Sequence, residues 1–137
     1  MIIGTTNGVF DLITPGHIYF LNECKKNCDI LICLLNTDES VRRLGKGEGR
    51  PYVNEWDRLL VIRGLRDVDA AYLFNDSDPS ELLKQIKPDI HFKDDEYKDK
   101  NIPEEPVMKE IGGIVCYIPR LPWSTTSVVD RIKNSLV

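Results

Sequence analysis

One short stretch, Gly8-Val9-Phe10-Asp11-Leu12-Ile13-Thr14-Pro15-Gly16-His17, gathers a threonine, a histidine and two glycines between an apolar opening and Ile18-Tyr19-Phe20-Leu21. It reads as the end of a strand, a glycine-bearing loop and the start of a helix. Backbone N–H groups at a helix N-terminus collect anions, and an imidazole placed there donates a ring N–H to the same phosphate. The chemistry on offer is phosphate binding. Thr14 and His17 also read as an ordinary helix cap, and the stretch alone leaves both readings open. Three further polar segments follow expected strands or lie beside them. They are Gly45-Lys46-Gly47-Glu48-Gly49-Arg50-Pro51, Lys93-Asp94-Asp95-Glu96-Tyr97, and Arg120 with Trp123-Ser124-Thr125-Thr126.

Positioning such segments at one edge requires parallel strands, because ligands of open α/β sheets sit outside the carboxyl ends of the strands. Apolar runs alternate with stretches of helical period along the chain, the pattern of β-α repeats. Strands are expected over residues 1–6, 30–35, 70–74, 90–92 and 114–118. Helices are expected over 15–26, with Pro15 in the first turn where a missing N–H costs little, over 37–44 with Thr37 or Asn36 as cap, and over 55–65. A further helix carries Leu82, Leu83 and Ile86, capped by Ser77 or Asp78 and stopped by Pro88, and a last one begins near Ser124. Residues 45–51 and 93–106 read as long polar loops, and long loops in a compact domain are often functional.

At 137 residues the chain suits a single domain, 1–137, able to bury one core without disulfides or metal. A formal net charge of −4 argues against a broad basic face for nucleic acid. Cys24, Cys28, Cys33 and Cys116 form no paired C-x-x-C units and suit buried thiols in a reducing compartment, so no metal site is expected. Neither a leader peptide nor a membrane span is apparent, and a cytoplasmic protein is expected.

Phe10-Asp11-Leu12 followed by Thr14-Pro15-Gly16-His17 resembles the H-x-G-H or T-x-G-H signature of the nucleotidylyltransferase superfamily, and Ser124-Thr125-Thr126 resembles its C-terminal S-T-T element. The text between them is similar to the cytidylyltransferase-like branch, above all to heptose 1-phosphate adenylyltransferase domains, through Val41-Arg42-Arg43-Leu44, residues 46–51, Asp57-Arg58, Val68-Asp69, Pro88-Asp89 and Gly112-Gly113. The resemblance implies a doubly wound, Rossmann-like α/β fold, with a five-stranded parallel sheet in the order 3-2-1-4-5 and helices on both faces.

It also implies an enzyme that transfers a nucleoside monophosphate from a nucleoside triphosphate to a phosphorylated sugar or polyol, releasing pyrophosphate with Mg2+. ATP and a heptose-phosphate-like acceptor fit best. A CTP-dependent glycerol-3-phosphate-type cytidylyltransferase and a degenerate, non-catalytic nucleotide-binding module are the alternatives. Such a transfer needs no covalent nucleophile, only positioning of two polyanions and stabilisation of charge. By resemblance His17, Lys46 and Thr14 are catalytic. Gly8, Phe10, Gly16, His17, Arg120, Ser124, Thr125 and Thr126 bind nucleotide, and Asp11, Arg58 and Lys93 bind the acceptor. Simpler readings stand beside these: a solvated loop lysine for Lys46, an N-cap for residues 124–126, a surface salt bridge for Arg58, a turn aspartate for Asp11. His91, within an apolar run, reads as a satisfied strand histidine. Relatives of this kind are often homodimers.

Two positions depart from the heptose branch. Thr14 replaces the first signature histidine and keeps a donor without a charge. Asp94-Asp95 stands where that branch carries two glycines, and resembles the G-D-D-W string of the glycerol-3-phosphate branch.

Overall fold

The computed structural model describes residues 1–121 and 125–136, residue 125 by its backbone alone. Within them the chain runs β1 (Ile3–Gly8), α1 (Pro15–Lys26), β2 (Ile30–Asn36), α2 (Asp38–Arg43), α3 (Glu55–Arg63), β3 (Ala70–Phe74), α4 (Ser80–Ile86) and β4 (Ile90–Asp94). A single 3-10 turn (Asp95–Tyr97), α5 (Glu104–Glu110), β5 (Ile114–Ile118) and α6 (Thr125–Ser135) complete it. Every strand pairing is parallel, and the order across the sheet is β3-β2-β1-β4-β5, the order that the family resemblance implies.

Strand β2 shows why the order is stable. Leu31, Cys33 and Leu35 point to one face and pack with Leu21 and Cys24 of α1 and Leu59 and Ile62 of α3. Leu34, with Ile32 against it, points to the other face and joins Leu83 of α4 and Val107 and Met108 of α5. A strand covered by helices on both sides reads as an unbroken apolar run, and so it was legible. Strand β1, at the centre, is polar instead. Thr6 Oγ1 donates to the Phe92 carbonyl at 2.9 Å, and Thr5 Oγ1 lies 2.7 Å from His91 Nδ1. These bonds satisfy hydroxyls that would otherwise oppose burial. Strand β1 runs two residues past its expected end, to Gly8, because Asn7 and Gly8 continue the parallel pairing with Leu34 and Leu35 of β2.

Caps place the helices. Thr37 Oγ1 accepts from Ser40 N at 3.2 Å and Asn54 Oδ1 from Asp57 N at 3.0 Å. At α4 the expected caps are displaced: Pro79 holds the N-cap position and Asp78 Oδ1 accepts from Ser80 N at 2.9 Å. Helix α5 corrects the expectation of one long loop over 93–106. Pro106 falls in its first turn, where N–H groups have no partner inside the helix, and Gly112 ends it at φ +84°. Among the described residues no helix is long and apolar enough to cross a membrane. All four cysteines are free thiols.

Candidate functional site

A cavity of about 750 Å3 opens at the carboxyl ends of the strands, and it brings Gly8, Phe10, Asp11, Gly16, His17, Lys46, Lys93 and Arg120 together. Its floor is the end of β1. Phe10 holds φ +51°, a left-handed conformation unusual for an aromatic residue. The turn folds its ring back over Gly8, where a Cβ would stand 3.0 Å from Cε2 of the ring. On its other side the ring faces the His17 imidazole, centroid to centroid 5.7 Å.

Thr14 is the N-cap of α1, and its backbone N–H donates to His17 Nδ1 at 2.9 Å. The histidine thus caps the cap residue, as a glutamate three positions on does in a capping box. An Nδ1 that accepts leaves the hydrogen on Nε2. Burial pushes the His17 pKa below its ordinary value, so the ring is held as a neutral Nε2–H donor at the α1 N-terminus. Thr14 is itself buried, its Oγ1 3.2 Å from the same Nδ1, and it does not line the cavity. Its place behind the histidine corrects the expectation of a phosphate contact: Thr14 positions the ring.

Lys46 reaches the cavity from a loop in which Gly45, Gly47 and Gly49 all have positive φ, of +68°, +119° and +79°. The loop ends at a clamp. Asp11 Oδ2 accepts from Arg50 Nε at 2.9 Å, and its two oxygens accept from Tyr52 N and Val53 N at 2.9 to 3.0 Å. Both partners of this ion pair are nearly fully buried. Asp11 was expected to bind the acceptor, but its carboxylate is engaged in anchoring residues 50–53. Pairing with Arg50 also removes the repulsion that a bare carboxylate would exert on phosphates.

Arg58, the second expected acceptor ligand, is 1 % exposed and does not line the cavity. Its Nε donates to the Val53 carbonyl, Nη1 to the carbonyls of Val9 and Asn36, and Nη2 to Asp38, all at 2.8 to 2.9 Å. It ties the ends of β1 and β2 to α2 and α3. This buried tie corrects both the acceptor role and the surface salt bridge.

The far side of the cavity is built from β4 and α5. Lys93 Nζ lies 3.3 Å from Asn7 Oδ1, 3.7 Å from Glu104 Oε2 and 4.4 Å over the Tyr97 ring. Asn7 Oδ1 also takes His91 Nε2 at 3.0 Å, which leaves His91 Nδ1 to accept from the Thr5 hydroxyl. His91 is fully buried, and its pKa is pushed down to about 3 by burial and then by Lys93. It is a satisfied strand histidine that orients Asn7. Arg120 is ion-paired with Glu96 at the cavity mouth. Thr125 and Thr126 open α6, with Thr126 exposed, while Trp123 and Ser124 lie outside the described residues.

Sequence reasoning did not find Asn7, Glu104 or Asp78, which line the cavity, nor the role of Arg50. Asn7 and Glu104 belong to segments whose element boundaries were misplaced. The spacing of Val107, Met108 and Ile111 ahead of Gly112 was the signal that would have revealed α5.

The sequence model of the cytidylyltransferase-like family matches residues 5–131. Over 130 residues the chain is 38 % identical to the D-beta-D-heptose 1-phosphate adenylyltransferase of Bordetella bronchiseptica, covering 94 % of this chain and 80 % of that protein. It is 42 % identical over 133 residues to the bifunctional protein HldE of Rhodopseudomonas palustris, covering 96 % of this chain but 27 % of that longer protein. The crystal structure of a lipopolysaccharide core biosynthesis protein from Thermoplasma volcanium superposes with a TM-score of 0.72 at 30 % identity, over 90 % of this chain and 99 % of that one. A pantoate-beta-alanine ligase from Francisella tularensis superposes at 0.61 with 12 % identity, over 99 % of this chain and 70 % of that one, which speaks for the fold alone. A parallel sheet ordered 3-2-1-4-5, a T-x-G-H loop at its central strand and similarity along nearly the whole length converge on one conclusion: the chain belongs to the cytidylyltransferase-like family.

Proposed function

We propose that this protein is an adenylyltransferase that joins the AMP portion of ATP to a heptose-phosphate-like sugar phosphate. A phosphate oxygen of the acceptor attacks the α-phosphorus of ATP in line. The bond to the β-phosphate oxygen breaks, and pyrophosphate leaves with that electron pair. The observation that carries the reading is His17, held as a neutral Nε2–H donor at the N-terminus of α1 in a cavity shared with Lys46. Donors fixed before substrate arrives stabilise the charge on the transferring phosphoryl group without reorganising. Lys46 adds a mobile ammonium, and Arg120 with residues 124–126 serves the β- and γ-phosphates once Glu96 yields its partner. Lys93 takes the acceptor.

Among the described residues no three His, Cys, Asp or Glu side chains group to hold a metal. Magnesium accordingly enters as the nucleotide complex, with phosphate oxygens and water as ligands, and supplies charge neutralisation there. Free thiols suit a cytoplasmic setting. A homodimer is part of the same proposal, with Trp56 and Leu60 exposed one turn apart on α3, and light scattering should return twice the 15.7 kDa chain mass.

The test is pyrophosphate release, read as phosphate after pyrophosphatase, with ATP or CTP against heptose 1-phosphate, other sugar 1-phosphates and glycerol 3-phosphate. Release with ATP and a sugar 1-phosphate is expected. Release confined to CTP and glycerol 3-phosphate would transfer the protein to that branch. Nucleotide binding without release from any pair would make it a non-catalytic module.

A further inference from the structure

The wall of the cavity opposite His17 contains a carboxylate oxygen that is ion-paired but accepts no hydrogen bond among the described residues. Glu104, the first residue of α5, is 3 % exposed and lines the cavity, and its Oε2 is buried without a hydrogen-bond partner among the described residues. Lys93 Nζ forms an ion pair with Oε2 at 3.7 Å, beyond hydrogen-bond distance, and its shorter contacts go to Asn7 Oδ1 and the Tyr97 ring. A buried oxygen stripped of water and left bare is a standing cost that a bound donor cancels. The chemistry of that donor follows from the surroundings. Phosphate is repelled by a carboxylate, and with Asp78 and Asp94 also on this wall the repulsion is compounded. Among the described residues these carboxylates do not group closely enough to hold a metal ion. A ligand ammonium would compete with Lys93, already in place. A neutral hydroxyl satisfies every constraint, because it donates to Oε2 while its own oxygen, or that of a neighbouring hydroxyl, accepts from Lys93.

Resting on the reading of the site as one for a phosphorylated acceptor, we infer that Glu104 and Lys93 together read a hydroxyl, or a pair of adjacent hydroxyls, on the carbon skeleton of a sugar phosphate. Glu104 is then a specificity-determining residue, and the acceptor class is a polyhydroxylated sugar phosphate rather than a simple alkyl phosphate. Selection of this kind is strong, since an analogue lacking the hydroxyl leaves the buried oxygen unpaired.

The experiment compares the wild type with Glu104→Ala and the near-isosteric Glu104→Gln, each checked by its melting curve. Acceptor KM is measured with heptose 1-phosphate, its singly deoxygenated analogues and glycerol 3-phosphate, and heptose 1-phosphate binding is measured by calorimetry without ATP. Glu104→Ala should weaken heptose 1-phosphate about 10- to 100-fold in both readouts, with Glu104→Gln between, while the KM for ATP stays within about twofold. One deoxy analogue should bind wild type and Glu104→Ala equally. Equal losses across all acceptors, an unchanged acceptor affinity, or no sugar phosphate binding by the wild type would overturn the assignment. Absence of turnover with intact, Glu104-dependent sugar phosphate binding would instead refute only the transfer activity.

Discussion

A histidine donates reliably from one ring nitrogen only when the other is spoken for. His17 meets that condition through the Thr14 N–H, and burial keeps it neutral where a solvated imidazole would begin to charge. Protonation would place a hydrogen on Nδ1, break that bond and release the ring. Activity should therefore be level from pH 8 down through 6.5 and fall only below it, as a pH profile of kcat will show; an acid limb centred above 6.5 would contradict the neutral-donor role. His17→Asn should lower kcat about 10²- to 10³-fold, as loss of one preorganised donor does, with a smaller change in the KM for ATP. At this scale the sequence was informative for types and incomplete for partners. His17 was found because T-x-G-H places it in the first helical turn. Thr14, Asp11 and Arg58 were assigned to ligands, because no spacing rule reveals that a backbone amide, a loop and four distant groups would engage them first.

The elements carry a second division of that kind. The three glycines of the Lys46 loop were visible at once, and the structure supplies the reason they are glycines. A Cβ on Gly45, Gly47 or Gly49 would meet no atom within 4 Å, so backbone conformation rather than space selects them. At φ +119° Gly47 lies outside even the left-handed well that other residues visit. Gly47→Ala should add about 1 kcal/mol or more of local strain, shift the loop, and lower kcat/KM about tenfold while the melting temperature hardly moves. A melting temperature lowered in step with activity would show the loop to be structural. Helices α1 to α4 were legible from caps and apolar spacing, whereas α5 was hidden by Pro103 and Pro106, which are breakers inside a helix but tolerated at its start.

For the molecule as a whole, the alternation of apolar runs with helical stretches was enough to show β-α repeats about a parallel sheet, and the family resemblance implied its doubly wound order. The polar centre was not legible. Thr5, Thr6 and His91 are tolerable in the core only because they bond to one another and to their neighbours, a matter of register that periodicity does not encode. This centre makes stability depend on pH. Unfolded, His91 titrates near 6.5, whereas folded it stays neutral down to about 3. Between those values the unfolded chain binds the additional proton, so stability is complete above pH 6.5 and declines as pH falls towards 3. His17 adds to the decline, and Glu104 and Asp94, whose pKa values burial raises, oppose it. Unfolding free energies from urea titrations at pH 7, 6 and 5 should fall, the slope approaching about 1.4 kcal/mol per pH unit at the acid end, the value for one proton, and His91→Gln should flatten it. Identical slopes in the two proteins would place the dependence elsewhere.

The buried pair of Asp11 and Arg50 has one more consequence, which concerns time. It fixes one foot of the lysine loop to the end of the central strand, and α2 fixes the other, so Lys46 swings on a leash running only from residue 44 to residue 50. In the proposed reaction a cation tethered so closely would meet the phosphates at an effective concentration on the order of millimolar or above, and short loops close within about 100 ns. Turnover of an ordinary enzyme, on the order of ten per second, leaves that arrival far too fast to be felt.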